Sequence, residues 1–261
     1  MLPSTIFCSA GRYALQVEAV LFDLFDTLVL MGDEETYYPS ALKKLHQSIV
    51  KNGVDIPYRN FEQAYFEVRD KLYSDSLQSL EEPHFNVRLS ETLKKLGYSF
   101  EPANPVVKEA TAAFSKEFIR FARSDEDAVP VLQKLHPSYK LGLISNLAIP
   151  EAGWELLERF GLKGFFDVVV ISGEINRRKP SKEIFDRALS ILGVEASKAV
   201  FIGDIFDVDV KGAKNAGMKA ILLQRKTLSS SDYETHDSPD TLTPNIAIKR
   251  LNELLSVLED C

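Results

Sequence analysis

The chain has 261 residues, enough to bury a sizeable core, and its 45% hydrophobic and 26% charged residues are those of an ordinary globular protein. A formal net charge of −7 with no basic run argues against nucleic acid as a partner, and nowhere does the sequence string together the roughly 18 apolar residues that a membrane span needs. Cys8 and Cys261 have no metal-ligand spacing and point to a reducing compartment, so a soluble, cytoplasmic protein with no membrane partner is expected.

Residues 1–16 read as an extension. The first strong element is Val17 to Leu28, an apolar β-type run that ends in Asp23, Asp26 and Thr27. Buried central strands of parallel sheets are near-continuous apolar runs, and ligands bind beyond their carboxyl ends, so Asp23 stands where a reactive group would sit. By itself the pair Asp23 and Asp26 also reads as an ordinary turn. From about Tyr38 to Arg123 the spacing is helical. Leu42, Leu45 and Ile49 form one stripe, Phe61, Tyr65, Val68 and Leu72 a second, Val87, Leu89, Leu93 and Leu96 a third, and Val107, Ala110, Phe114 and Phe118 a fourth. The aromatics Tyr65, Phe66, Tyr73, Phe114, Phe118 and Phe121 are read as core. After this insert, strands and helices alternate. Strands at 140–144, 167–171, 199–203 and 220–223 are separated by helices near 127–135, 150–160, 180–193 and 204–216, and a last helix is predicted over 244–258 beyond a polar loop at 229–243. This alternation predicts an α/β fold with a doubly wound, Rossmann-like parallel sheet and an inserted all-helical domain.

The strand at 199–203 ends in Gly203-Asp204 and is followed by Asp207 and Asp209, so two strands of one chain carry carboxylates at their tips. No Walker loop, dinucleotide glycine fingerprint or Gly-x-Ser-x-Gly elbow is present, and His46, His84, His136 and His236 are scattered.

Phe22-Asp23-Leu24-Phe25-Asp26-Thr27-Leu28, Ser145-Asn146, Lys179-Pro180 and Gly203-Asp204 with Asp209 resemble, in order, the four motifs of the haloacid dehalogenase-like hydrolase superfamily. Gly212 to Met218 resembles the helix and turn after the fourth motif in its phosphatases. The resemblance implies a core of residues 1–32 and 124–261 with a helical cap at 33–123, and a helical turn and hairpin leading into the cap. It implies a Mg²⁺ cofactor held by Asp23, Asp204 and the backbone carbonyl of Phe25, and catalytic roles for Asp23 as nucleophile, Thr27, Ser145, Asn146, Lys179 and Asp209. Asp207 matches no role in the family.

One position departs from the pattern. The second Asp of the phosphatase motif, which supplies acid/base catalysis, is replaced by Phe25. Alternate residues of an extended backbone share a face, so Asp26 would not point with Asp23 and is expected to anchor the turn. Three readings stand. The first is a Mg²⁺-dependent hydrolase of a small-molecule phosphate ester, and it is preferred. The second is a metal-independent 2-haloacid dehalogenase, whose halide leaves without a proton. Asp204 opposes that reading, and Arg59 is the nearest match to the dehalogenase substrate clamp. The third is a catalytically weak binding module, which three retained charged groups in register oppose.

Overall fold

The computed structural model describes residues 17–225 and 243–259. The strands are β1 (Ala19–Phe22), β2 (Val29–Leu30), β3 (Arg123–Ser124), β4 (Lys140–Ser145), β5 (Val168–Ile171), β6 (Ala199–Gly203), β7 (Lys219–Leu223) and β8 (Ile246–Ile248). Six of them form one sheet in the order β5-β4-β1-β6-β7-β8, and every pair in it is parallel. Leaving out the short ribbon β2-β3, this is the doubly wound order in which the chain moves outward on one side of β1, then on the other. The switch falls between β1 and β6, the two carboxylate-tipped strands.

Side chains of a strand alternate between faces, and the core is divided accordingly. Val20, Phe22, Val200 and Ile202 lie in one buried cluster, and Ala19, Leu21, Ala199 and Phe201 in another. Both faces are covered, which is why these strands carry no alternating polar residue.

Between β2 and β3 the chain forms α1 (Glu34–Lys51), α2 (Tyr58–Ser79), α3 (Phe85–Lys95) and α4 (Pro105–Phe118). The four apolar stripes predict these helices, with α1 packing chiefly on α4 and α2 on α3. Asn104 caps α4 through its side chain with Pro105 in the first turn, and the His84 ring accepts from the Asn86 amide to cap α3. Tyr65 and Phe114 are buried as expected, but Tyr73 is 55% exposed. It stands on the outer face of α2, one turn before exposed Leu77, so its apolar stripe is narrower than the sequence implies. The expected local hairpin is instead a ribbon of the two tethers: β2, leaving for the insert, pairs antiparallel with β3, returning from it.

The remaining helices are α5 (Ala128–Leu135), α6 (Pro150–Arg159), α7 (Ser172–Ile175), α8 (Lys182–Leu192), α9 (Lys211–Asn215) and α10 (Glu253–Glu259). The last stretch departs from expectation. Residues 246–248 add β8 to the edge of β7, and only from Glu253 does the chain turn helical. The strand is held by backbone bonds from Asn245 to Ala220 and from Gln224 to Ile248, so sheet pairing overrides the helical spacing of 244–258. The extension at 1–16, both cysteines, and all but Thr243 of the expected loop at 229–243 lie outside the described residues.

Candidate active site

The site grows from the register of two strands. Phe22 is level with Ile202, so Asp23 leaves β1 beside the end of β6, and its amide donates to the Ile202 carbonyl at 2.8 Å. Asp204 follows directly on β6. A π-turn over Phe206–Val210 brings Asp209 back over the strand end, where its Oδ2 accepts from the Ile205 amide at 2.9 Å. Gly203 permits this approach, since a Cβ there would collide with the Asp209 carboxyl group.

On the far side of β1, β4 delivers Ser145 and Asn146. Lys179 arrives from the connection between α7 and α8. Asn146 grips its main chain twice: the Asn146 Nδ2 donates to the Lys179 carbonyl at 2.9 Å, and the Lys179 amide donates to Asn146 Oδ1 at 2.7 Å. The Lys179 ammonium, 2% exposed, donates to Asp23 Oδ1 at 2.5 Å and to Asp209 Oδ1 at 2.7 Å. Asp23 and Asp209 are themselves only 7% and 1% exposed. One oxygen from each of Asp23, Asp204 and Asp209 lies within 4.8 Å of the others.

Three carboxylates therefore share a single ammonium, and their proton affinities reflect it. Burial pushes the Asp23 carboxyl up to about 6 against the pull of Lys179, with Asp209 adding to the rise. Asp204 is pushed up to about 8, by burial first and then by the charges of Asp23, Asp209 and Asp26. Burial alone would lower Lys179, but the carboxylates of Asp209 and Asp23 outweigh it and hold the ammonium above the usual lysine range. Such a surplus of buried carboxylate suits a hard divalent cation.

The turn after Asp23 offers two further oxygens. Leu24 accepts from the amides of Leu28 and Val29, and Val29 accepts from Asp26, while the Phe25 carbonyl has no donor among the described residues. The hydroxyls of Thr27 and Ser145 are fully buried and have no hydrogen-bond partner among the described residues. Unpaired buried hydroxyls are costly, and two of them beside a charged cluster fit an oxyanion that they could serve as donors. Asp26 is exposed with φ of 53°, the turn residue that alternation predicts. Phe25 is half-buried, its ring edge-on to Phe118 at 6.0 Å.

The other candidates stand apart. Asp207 pairs with Lys211 at the surface, and Arg59 is exposed on the first turn of α2. His46 and His136 meet backbone carbonyls and His84 meets Glu151, while His236 lies outside the described residues. Sequence reasoning placed Asn146 in the chemistry, whereas its amide is taken up by the Lys179 backbone. It did not single out Arg225, whose side chain donates to the Asp26 and Thr27 carbonyls of the turn after Asp23.

A family model for the haloacid dehalogenase-like hydrolases matches residues 17–217. The chain belongs to that family. This haloacid dehalogenase-like protein is 32% identical to a glyceraldehyde 3-phosphate phosphatase of Methanopyrus kandleri, over 94% of this chain and 98% of the relative. It is 31% identical to the enzyme of that name from Methanothermobacter thermautotrophicus, over 92% of this chain and 100% of the relative. A solved 2-haloacid dehalogenase from Pseudomonas syringae superposes with a TM-score of 0.70, over 93% of this chain and 98% of the other, at 24% identity. That likeness establishes the fold alone. The chain is thus a haloacid dehalogenase-like hydrolase, and its sequence relatives named as phosphatases favour that type over a dehalogenase. Among the described residues no helix is long and apolar enough to cross a membrane.

Proposed function

We propose that the chain is a Mg²⁺-dependent phosphohydrolase of small phosphate monoesters with Asp23 as its nucleophile. The observation that carries the reading is the buried Asp23–Lys179–Asp209 array at the tip of β1, with Asp204 beside it. Asp23, Asp204 and the Phe25 carbonyl would hold the cation. When bound, it supplies the positive charge that lets an anionic carboxylate approach an anionic ester.

The chain's own groups account for the rest. The Asp23 carboxylate attacks phosphorus, forming an acyl-phosphate bond as the ester P–O bond breaks. Ser145, Thr27 and the Lys179 ammonium donate to the phosphoryl oxygens, whose charge must be held through transfer. Asp209 and Asn146 keep Lys179 in place. Water then attacks the same phosphorus, the Asp23–P bond breaks, and inorganic phosphate leaves with one of the water's protons while the other returns to solvent. The departing alkoxide takes its proton from solvent, because Phe25 has none to give. Positioned acid/base groups contribute roughly 10²–10⁴-fold, so esters of poor leaving groups are turned over slowly unless the insert contributes an acid.

Residues 33–123 are read as the cap and residues 1–32 with 124–261 as the core, a division supported by the pairing of the two tethers in β2 and β3. The names of the sequence relatives make glyceraldehyde 3-phosphate the first substrate to try.

The test is a panel of glyceraldehyde 3-phosphate, an aryl phosphate and a 2-haloacid, each with Mg²⁺ and with chelator. Phosphate release that needs Mg²⁺ and falls below a tenth in a folded Asp23→Asn variant is expected. Halide release in chelator, or phosphate release indifferent to Asp23, would overturn the reading.

A further inference from the structure

The turn that follows Asp23 is held from outside by a residue two positions beyond the end of β7. Its carbonyls at Asp26, Thr27 and Leu28 all need donors, and the turn's own amides supply none of them. Arg225 Nε donates to the Asp26 carbonyl at 2.8 Å and its Nη2 to the Thr27 carbonyl at 2.7 Å. Its Nη1 meets Asp125 Oδ2 at 2.8 Å. Asp125 is buried, its amide donates to the Leu28 carbonyl at 2.9 Å, and its Oδ1 accepts from the Asp127 amide at 2.8 Å. Three successive carbonyls are thus taken up by one guanidinium and the residue it pairs with.

The geometry points to Arg225 as the positioning residue of the proposed active site, setting the turn that presents the Phe25 carbonyl and the Thr27 hydroxyl. The inference rests on the reading of that turn as catalytic. Several features favour it over a mere surface contact. Asp26 is a non-glycine residue in the left-handed region, a conformation that its surroundings must hold, and Arg225 grips the carbonyl of that residue. With the carbonyl of Leu24 engaged within the turn and carbonyls 26 to 28 engaged outside it, the carbonyl of Phe25 is the one in residues 24–28 without a donor among the described residues. The fork of a guanidinium is also required: its donors are fixed in a plane and reach two carbonyls and a carboxylate together, which an ammonium does not match. Because Asp125 follows β3 directly, the same side chain joins the catalytic turn to the tether returning from the helical insert.

Arg225→Ala should lower kcat by about tenfold or more, the scale of losing charge-assisted hydrogen bonds, while KM for an aryl phosphate changes less than about threefold. Added guanidinium should restore part of kcat. Hydrogen exchange gives a readout independent of turnover: amides of Asp26, Leu28 and Asp125 should exchange faster in the variant and slow again with guanidinium. Arg225→Lys, with an ammonium in the same place, should fold as the wild type does and keep the exchange and kcat defects in reduced form. If Arg225→Ala does not fold, Arg225→Lys carries the same two measurements. Unchanged exchange at 26–28 in the folded variant, or a kcat per folded molecule equal to wild type, would overturn the role. Asp23→Asn run alongside separates the two ideas, since activity surviving in that variant removes the nucleophile while leaving the exchange result to judge Arg225.

Discussion

In the proposed mechanism Phe25 stands where a proton donor would serve the leaving group. Phe25 leaves β1 on the strand turn that bears Asp23 and packs edge-on against Phe118 of the insert. A carboxylate there would lose that ring contact, at a cost of about 1 kcal/mol, and place an acid beside the nucleophile. Phe25→Asp should therefore raise turnover of alkyl phosphates, within the roughly 10²–10⁴-fold range of acid/base catalysis, and raise that of an activated aryl phosphate less. Steady-state kinetics on the two esters checks it, and equal gains on both would contradict the assignment. The carboxylates also set a pH dependence. Asp204 rises from an ordinary 3.8 to about 8 on folding, so the folded metal-free protein holds a proton that the unfolded chain has released. Stability contributed by that proton is present at low pH and is lost as pH climbs toward 8, because the unfolded state binds fewer protons in this window. Thermal unfolding of metal-free protein between about pH 5.5 and 8 should show a declining midpoint that is flatter in Asp204→Asn. Mg²⁺ should flatten it in the wild type as well.

At the scale of elements, the site depends on how closely β6 and the π-turn behind it approach. The Asp209 carboxyl rests where a Cβ of residue 203 would be, so Gly203→Ala must push it away from Lys179. Overpacking of this kind costs about 1–3 kcal/mol, and the displaced ammonium should cut turnover by at least about tenfold. Denaturant unfolding and kcat on one preparation test both, and an alanine variant with native turnover would show that Asp209 does not hold Lys179. The sequence made both strands legible because their apolar runs and terminal carboxylates are local features. It did not reveal β8, whose three residues are too short to signal a strand and are stabilised by the edge of β7.

For the whole molecule, the insert touches the core at more than its two tethers. The α2–α3 connection docks on it: the Phe85 amide donates to the Ala148 carbonyl at 2.8 Å, and the Arg178 amide donates to the Leu80 carbonyl at 3.0 Å. Glu82 faces Arg178 at 3.4 Å, and Arg178 is the neighbour of Lys179. Buried residues of α1 to α4 also join the cluster on one face of the sheet. If the insert opens about Gly32 and Ser124-Asp125, the loop at 80–85 must first be released. Arg178→Ala should speed hydrogen exchange across that loop while leaving α1 protected, and exchange unaltered in the loop would remove it as a latch.

Five of the six strands of the sheet, the helical insert and the carboxylates at two strand tips were legible in the sequence, because hydrophobic period and carboxylate-ended strands are written over a few consecutive positions. The tertiary structure alone decided how these residues are held. Lys179 and Asp23 are 156 positions apart, and Arg225 reaches carbonyls 199 and 198 positions before it. Contacts of that separation depend on strand order and register, which bring remote residues together without leaving a local pattern in the chain.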